Sequence, residues 1–179
     1  PLFTHAKEMA DRGLRIIGCV MSSDAASTLR FVGLIALEDP PRTSVSPALK
    51  EALQAGIRTV MITGDSADTA LAIARRVGIQ GEVMLGQDLD ALTDTQLQEV
   101  VKTTGVYARV SPMHKLLILQ ALQKNGEIVA MSGDGVNDAP ALKGANVGVA
   151  MGKVGTDVAR EAASVVLADD DYATLVVAI

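Results

Sequence analysis

The chain has 179 residues, 49% hydrophobic and 21% charged, enough for one ordinary domain with a short appendage and the wrong balance for a disordered segment. Aromatics contribute only 2%, with no Trp, so a core must be built from Ala, Val, Ile, Leu and Met, as in packed α/β layers. The net charge of −5 without a Lys/Arg block gives no support to nucleic-acid binding, the single Cys19 excludes an internal disulfide framework, and no apolar run reaches the ~18–20 residues that cross a bilayer.

Residues 4–12 carry a helical pattern stopped by Gly13. Two β-rich runs, 14–21 and 29–37, flank a Ser/Asp/Ala-rich turn and predict a hairpin, with Cys19 a buried small hydrophobe. Glu38-Asp39-Pro40-Pro41-Arg42 breaks the pattern, because consecutive prolines neither extend a helix nor sit in a central strand. The expected division is 1–38, a hinge at 39–42, and 43–179. Beyond the hinge the pattern predicts helices over 45–55, 66–77, 93–103, 112–124 and about 156–163. It predicts strands over 57–62, 106–108, 128–131, 147–151 and 165–167, with a small element near 83–85. Short apolar strands alternating with amphipathic helices predict an α/β fold with a parallel sheet covered on both faces. Asp169-Asp170-Asp171 reads as the N-terminal cap of a last helix, and His5 and His114 read as surface residues. The chain opens Pro1-Leu2-Phe3 without a signal peptide and stops in an apolar run, so both ends are expected to be cuts from a longer protein.

Three polar clusters follow or adjoin strands, where open α/β sheets place ligands. Thr63-Gly64-Asp65 sits between a strand and a helix, and its hydroxyl and amides suit an anion, although the same tripeptide is a common turn. Ala108-Arg109-Val110-Ser111-Pro112-Met113-His114-Lys115 leads from a strand into a helix, and Lys115, one turn in, can reach a phosphate as a point charge. Gly133-Asp134-Gly135-Val136-Asn137-Asp138-Ala139-Pro140 packs glycines, two carboxylates and an amide after a buried strand. Packing does not ask for that, and magnesium, with its hard oxygen ligands, does.

These motifs, in this order, resemble the phosphate-handling motifs of the haloacid-dehalogenase-like superfamily. Asp39-Pro40-Pro41-Arg42 and the run Gly133 through Lys143 are similar, more narrowly, to P-type cation-transporting ATPases, as are Val147-Gly148-Val149-Ala150-Met151-Gly152 and the stretch from Gly155 to Ala163. Within them the chain resembles the calcium- and sodium-pump branch; Ser132 stands where many relatives carry Thr. The resemblance implies a Rossmann-like sheet, a phosphorylation domain at 43–179, a remnant of a nucleotide-binding domain at 1–38, and a membrane-integral parent whose present part is cytoplasmic. It also implies that Asp134 ligates Mg²⁺, Thr63 and the Gly64 amide hold phosphoryl oxygens, and Lys115 offsets their charge. Asn137 would add a hydrogen bond, Asp138 would orient Lys115 or the metal's waters, and Arg42 and Asp65 would lie near ATP. The family's nucleophile motif, Asp-Lys-Thr-Gly-Thr, occurs nowhere in the sequence, so the chain alone is expected not to form a phosphoenzyme. The cation would bind in membrane helices outside the chain. Without the nucleophile strand, the sheet is expected to fall into two halves, repaired by rearranged pairing or by a strand from another chain. A soluble phosphatase of the same superfamily, or a non-catalytic domain binding nucleotide or Mg²⁺, is the alternative reading.

Overall fold

The structure is a computed structural model and describes residues 2–22, 29–38 and 40–179. The turn of the expected hairpin (23–28) and Asp39 of the expected hinge lie outside them. Helix α1 (Leu2–Asp11) leads into the antiparallel pair β1 (Arg15–Ser22) and β2 (Leu29–Leu37). α1 packs on β1, yet Ile17, Val20, Phe31, Val32 and Ile35 stay exposed and Cys19 is half-buried rather than buried. A two-stranded ribbon has no second layer to cover both faces. The ribbon is tied to the rest at Gly13, whose missing Cβ would stand 3.2 Å from the Ala72 Cβ, and by a Glu38–Arg76 pair at 2.7 Å.

The remaining elements are α2 (Val45–Gln54), β3 (Met61–Ile62), α3 (Ala67–Val77), β4 (Glu82–Leu85), α4 (Gly86–Leu89), α5 (Asp94–Val100) and β5 (Thr104–Ala108). They continue through α6 (Pro112–Lys124), β6 (Ala130–Gly133), α7 (Ala139–Gly144), β7 (Val147–Met151), α8 (Asp157–Ala162), β8 (Val165–Leu167) and α9 (Tyr172–Val177). The strands form two parallel three-stranded sheets, in the orders β3-β5-β4 and β6-β7-β8. β5 is buried along its whole length and β7 at its three central residues, as expected of middle strands covered by helices.

Among the described residues β3 pairs only with β5, and β6 only with β7, so each half ends in an open edge at these two strands. Among the described residues the strands form two halves, as expected, and no rearranged pairing joins them, which leaves a strand from another chain as the expected repair. The same openness explains why the strand predicted over 57–62 shrinks to Met61–Ile62: a central strand given one partner keeps only the ladder that partner supplies. Ile128, predicted to start the β6 strand, lies before it and is 80% exposed.

α6 holds the halves together. Ser111 caps it, accepting the His114 amide at 3.3 Å, and Pro112 occupies the first turn, where no amide partner is needed. Its Ile118, Ala121 and Leu122 join Leu97, Val101 and Tyr107 in the core over the first sheet. On its other side Leu116 and Leu119 reach Gly144 of α7, over the second. α2 and α9 pack together through Ala48, Ala52 and Val176. No helix of the described residues is long and apolar enough to cross a membrane.

Candidate functional site

The acid- and glycine-rich run leaves β6 at Gly133 and makes one 3-10 turn, Val136–Asp138, before α7. That turn brings the buried Asp138 carboxylate back under the loop. Its Oδ2 accepts the amides of Asp134 at 3.2 Å and Gly135 at 3.1 Å, while Oδ1 receives the Lys115 ammonium in a close ion pair. Lys115 keeps 20% of its side chain exposed and Asp138 only 7%, so this pair is shielded from bulk water. Gly133 is required by close approach: a Cβ there would sit 2.5 Å from the Asp138 Cβ and 2.9 Å from its Oδ2.

Asp134 itself is held at its backbone and free at its side chain. Its carbonyl accepts the Thr156 amide at 2.8 Å, and its amide is taken by Asp138, yet its exposed carboxylate has no hydrogen bond or ion pair among the described residues. Asn137 is likewise exposed, with its amide group unengaged among the described residues. The oriented, unpaired Asp134 carboxylate is a hard oxygen donor suited to Mg²⁺, which takes one or two carboxylates and completes its shell with water and phosphate oxygens. No cluster of three acidic, His or Cys ligands occurs among the described residues.

Thr63-Gly64-Asp65 forms a tight turn at the carboxyl end of β3. The Thr63 hydroxyl accepts the Asp65 amide at 3.1 Å and donates to Asp65 Oδ2 at 3.1 Å, so its one proton is committed to Asp65. Gly64 is exposed with open space where a Cβ would be, so its backbone is approachable from solvent. The turn is fastened to the next motif by Val110 N donating to Thr63 O at 3.2 Å and Arg109 N to Asp65 O at 2.9 Å. Arg109 takes a left-handed φ of 51° there. An open cleft of about 440 Å³ lies alongside, lined in part by Arg15, Gly64, Asp65, Ser66 and Arg109. No hydrogen bond or ion pair joins this turn to Lys115, Asp134, Asn137 or Asp138 among the described residues; the two groups communicate through Val110, Ser111 and α6.

Arg42 stands elsewhere. Its guanidinium donates to the Asp170 carbonyl at 2.6 Å and shares no bond with Asp65. Of the acidic triplet only Asp171 caps α9, accepting the Ala173 amide at 2.9 Å. Asp169 bonds the Thr174 hydroxyl, which holds its carboxyl below the usual range, and Asp170 turns inward, which corrects the reading of all three as a cap. His114 is buried, not on the surface: its Nδ1 accepts the Ser111 amide at 3.1 Å and its Nε2 donates to Asp90 at 2.9 Å. A Ser-x-x-His pair closes the capping box that Ser-x-x-Glu usually closes, a signal available in the sequence only if His is admitted to that role.

The model of the haloacid dehalogenase-like hydrolases matches residues 8–146. A calcium-transporting ATPase 1 of Saccharomyces cerevisiae is 46% identical over 97% of the chain and 20% of its own length. The calcium-transporting ATPase type 2C member 1 of Homo sapiens is 47% identical over 96% of the chain and 19% of its length, and a calcium-transporting ATPase of Bacillus subtilis 53% over 84% and 17%. The chain thus spans about a fifth of these curated relatives. With a parallel α/β architecture and acidic, glycine-rich turns at the strand ends, the chain belongs to the haloacid dehalogenase-like hydrolases.

Proposed function

We propose that this chain is the greater part of the phosphorylation domain of an ATP-driven cation pump of the calcium- and sodium-pump branch, with calcium the favoured ion. Residues 1–38 then belong to the nucleotide-binding domain, 39–42 to the hinge, and the parent is integral to a membrane with this part cytoplasmic. The observation that carries the reading is the Lys115–Asp138 pair seated beneath the unpaired Asp134 carboxylate at the end of β6. The names and identity of the relatives support it.

In this reading Asp134 holds Mg²⁺, which when bound neutralises phosphoryl charge and polarises its oxygens. Lys115 adds a fixed positive charge, kept from straying by Asp138, and the Gly64 amide and Thr63 hydroxyl receive phosphoryl oxygens. The hydroxyl must first release Asp65. Asn137 contributes a donor, Asp65 faces ATP, and Arg42 reaches the nucleotide only by leaving its Asp170 carbonyl. Preorganised charge of this kind is what phosphoryl transfer requires of a protein. The attacking carboxylate comes from a segment of the parent outside these residues, and its strand fills the opening between β3 and β6; in the isolated chain a strand of a second copy can take that place.

Labelling with γ-³²P-ATP tests the assignment. The 179-residue chain is expected to take up no acid-stable, hydroxylamine-sensitive label, whereas membranes holding the parent label in a cation-dependent way. Label on the short chain, or its turnover of p-nitrophenyl phosphate, makes it instead a self-sufficient phosphatase.

A further inference from the structure

The loop after β7, residues 152–156, is fastened at every step although Lys153 and Val154 are exposed. The Asp170 carboxylate accepts the Lys153 amide at 2.9 Å and the Val154 amide at 3.0 Å. Gly152 donates to the Leu167 carbonyl at 2.8 Å, and the Arg160 guanidinium spans the Gly152 and Gly155 carbonyls. Asp170 does this from a left-handed φ of 60°, uncommon for a residue with a Cβ, and with only 7% of its surface exposed. Two consecutive amides on one buried carboxylate also hold its carboxyl below the usual range.

What the loop delivers is the Thr156 amide, placed 2.8 Å from the Asp134 carbonyl. With Asp138 on the other side, the Asp134 peptide is fixed at both its N–H and its C=O, so only the side-chain torsions of the carboxylate remain free. Arg42, on the expected hinge, closes the chain of contacts from outside by donating to the Asp170 carbonyl at 2.6 Å.

We propose that Asp170 is a positioning residue for Asp134: it pins residues 152–156 so that the Thr156 amide holds the Asp134 peptide, and Arg42 holds Asp170 in turn. The purpose of that placement rests on the reading of Asp134 as a metal ligand; the placement itself does not. Support of this kind beyond the ligand is what sets the direction of a metal-binding carboxylate. It also joins the hinge to the metal site through contacts 128 residues apart in sequence.

Native-state hydrogen exchange and Mg²⁺ titration of the 179-residue chain decide the matter. In Asp170→Asn, exchange at Thr156 relative to Ile118 of α6 is expected to rise about tenfold, because a local tether is lost while the core stays closed. The Mg²⁺ midpoint read at the Gly135 amide is expected to rise about threefold. Arg42→Ala, at an exposed side chain that folding tolerates, is expected to move both in the same direction by about half as much on a logarithmic scale. An unchanged Thr156 ratio in both variants, or a raised ratio with the Mg²⁺ midpoint unmoved, overturns the proposal. A response to Mg²⁺ that survives Asp134→Asn sinks the metal reading instead, and the exchange ratio then still decides the placement.

Discussion

Asp138→Ala is expected to destabilise the chain by about 3–5 kcal/mol, the range for breaking a buried ion pair from one side. The loss has three parts. Lys115, with 20% of its side chain exposed, keeps a charge with no partner. The Asp134 and Gly135 amides lose the acceptor they share at 3.2 and 3.1 Å. The truncated side chain also leaves a void under Gly133, whose glycine exists to make room for it. Asp138→Asn retains an acceptor for the amides and should fall between the two. Lys115→Met alone should be costly too, and in the double variant Lys115→Met/Asp138→Ala the costs should fall short of their sum, because the two groups act as a unit. Urea unfolding measures all of these; an Asp138→Ala midpoint indistinguishable from that of the unsubstituted chain would mean the pair is fully solvated in solution.

Gly155→Ala is the second large effect. A Cβ there would stand 1.9 Å from the Met151 carbonyl oxygen and 2.9 Å from its carbon, and these are backbone atoms that cannot swing away. Overpacking of that kind costs typically ~1–3 kcal/mol and at times more, here by displacing either β7 or the loop that presents the Thr156 amide. Gly64→Ala is the matched control: nothing lies within 4 Å of its Cβ position, so its stability should change by less than about 0.5 kcal/mol. Thermal melts of the two variants beside the unsubstituted chain check the contrast, and equal melting temperatures would contradict the close approach at residue 155.

The candidate site's residues stand out in the sequence where local chemistry concentrates. Glycines framing two carboxylates after an apolar strand pointed to Gly133 through Asp138, and a lysine one turn into a Ser-Pro-capped helix pointed to Lys115; the structure places Lys115 on Asp138. Local pattern misled where pairing decides. Residues 57–62 read as a strand by composition, but a ladder needs a neighbour, and only Met61–Ile62 find one. No helix is predicted where α7 lies; its Pro140 sits in the first turn, where it removes an amide that has no partner anyway. Contacts between distant residues left no trace in local pattern. Nothing near Arg42 announces the Asp170 carbonyl, and nothing in a run of three aspartates tells the one that caps a helix from the one that folds inward to hold a loop.

Asp134, Lys115 and the Thr63 turn are expected to form one receiving surface for Mg²⁺ and phosphate. ¹H–¹⁵N correlation spectra of the chain, titrated with Mg²⁺ and inorganic phosphate together, read this most directly. Shifts confined to residues 63–65, 115 and 133–138, and abolished by Asp134→Asn, are the predicted result; shifts at only one of these places, or a response that Asp134→Asn leaves intact, would contradict it.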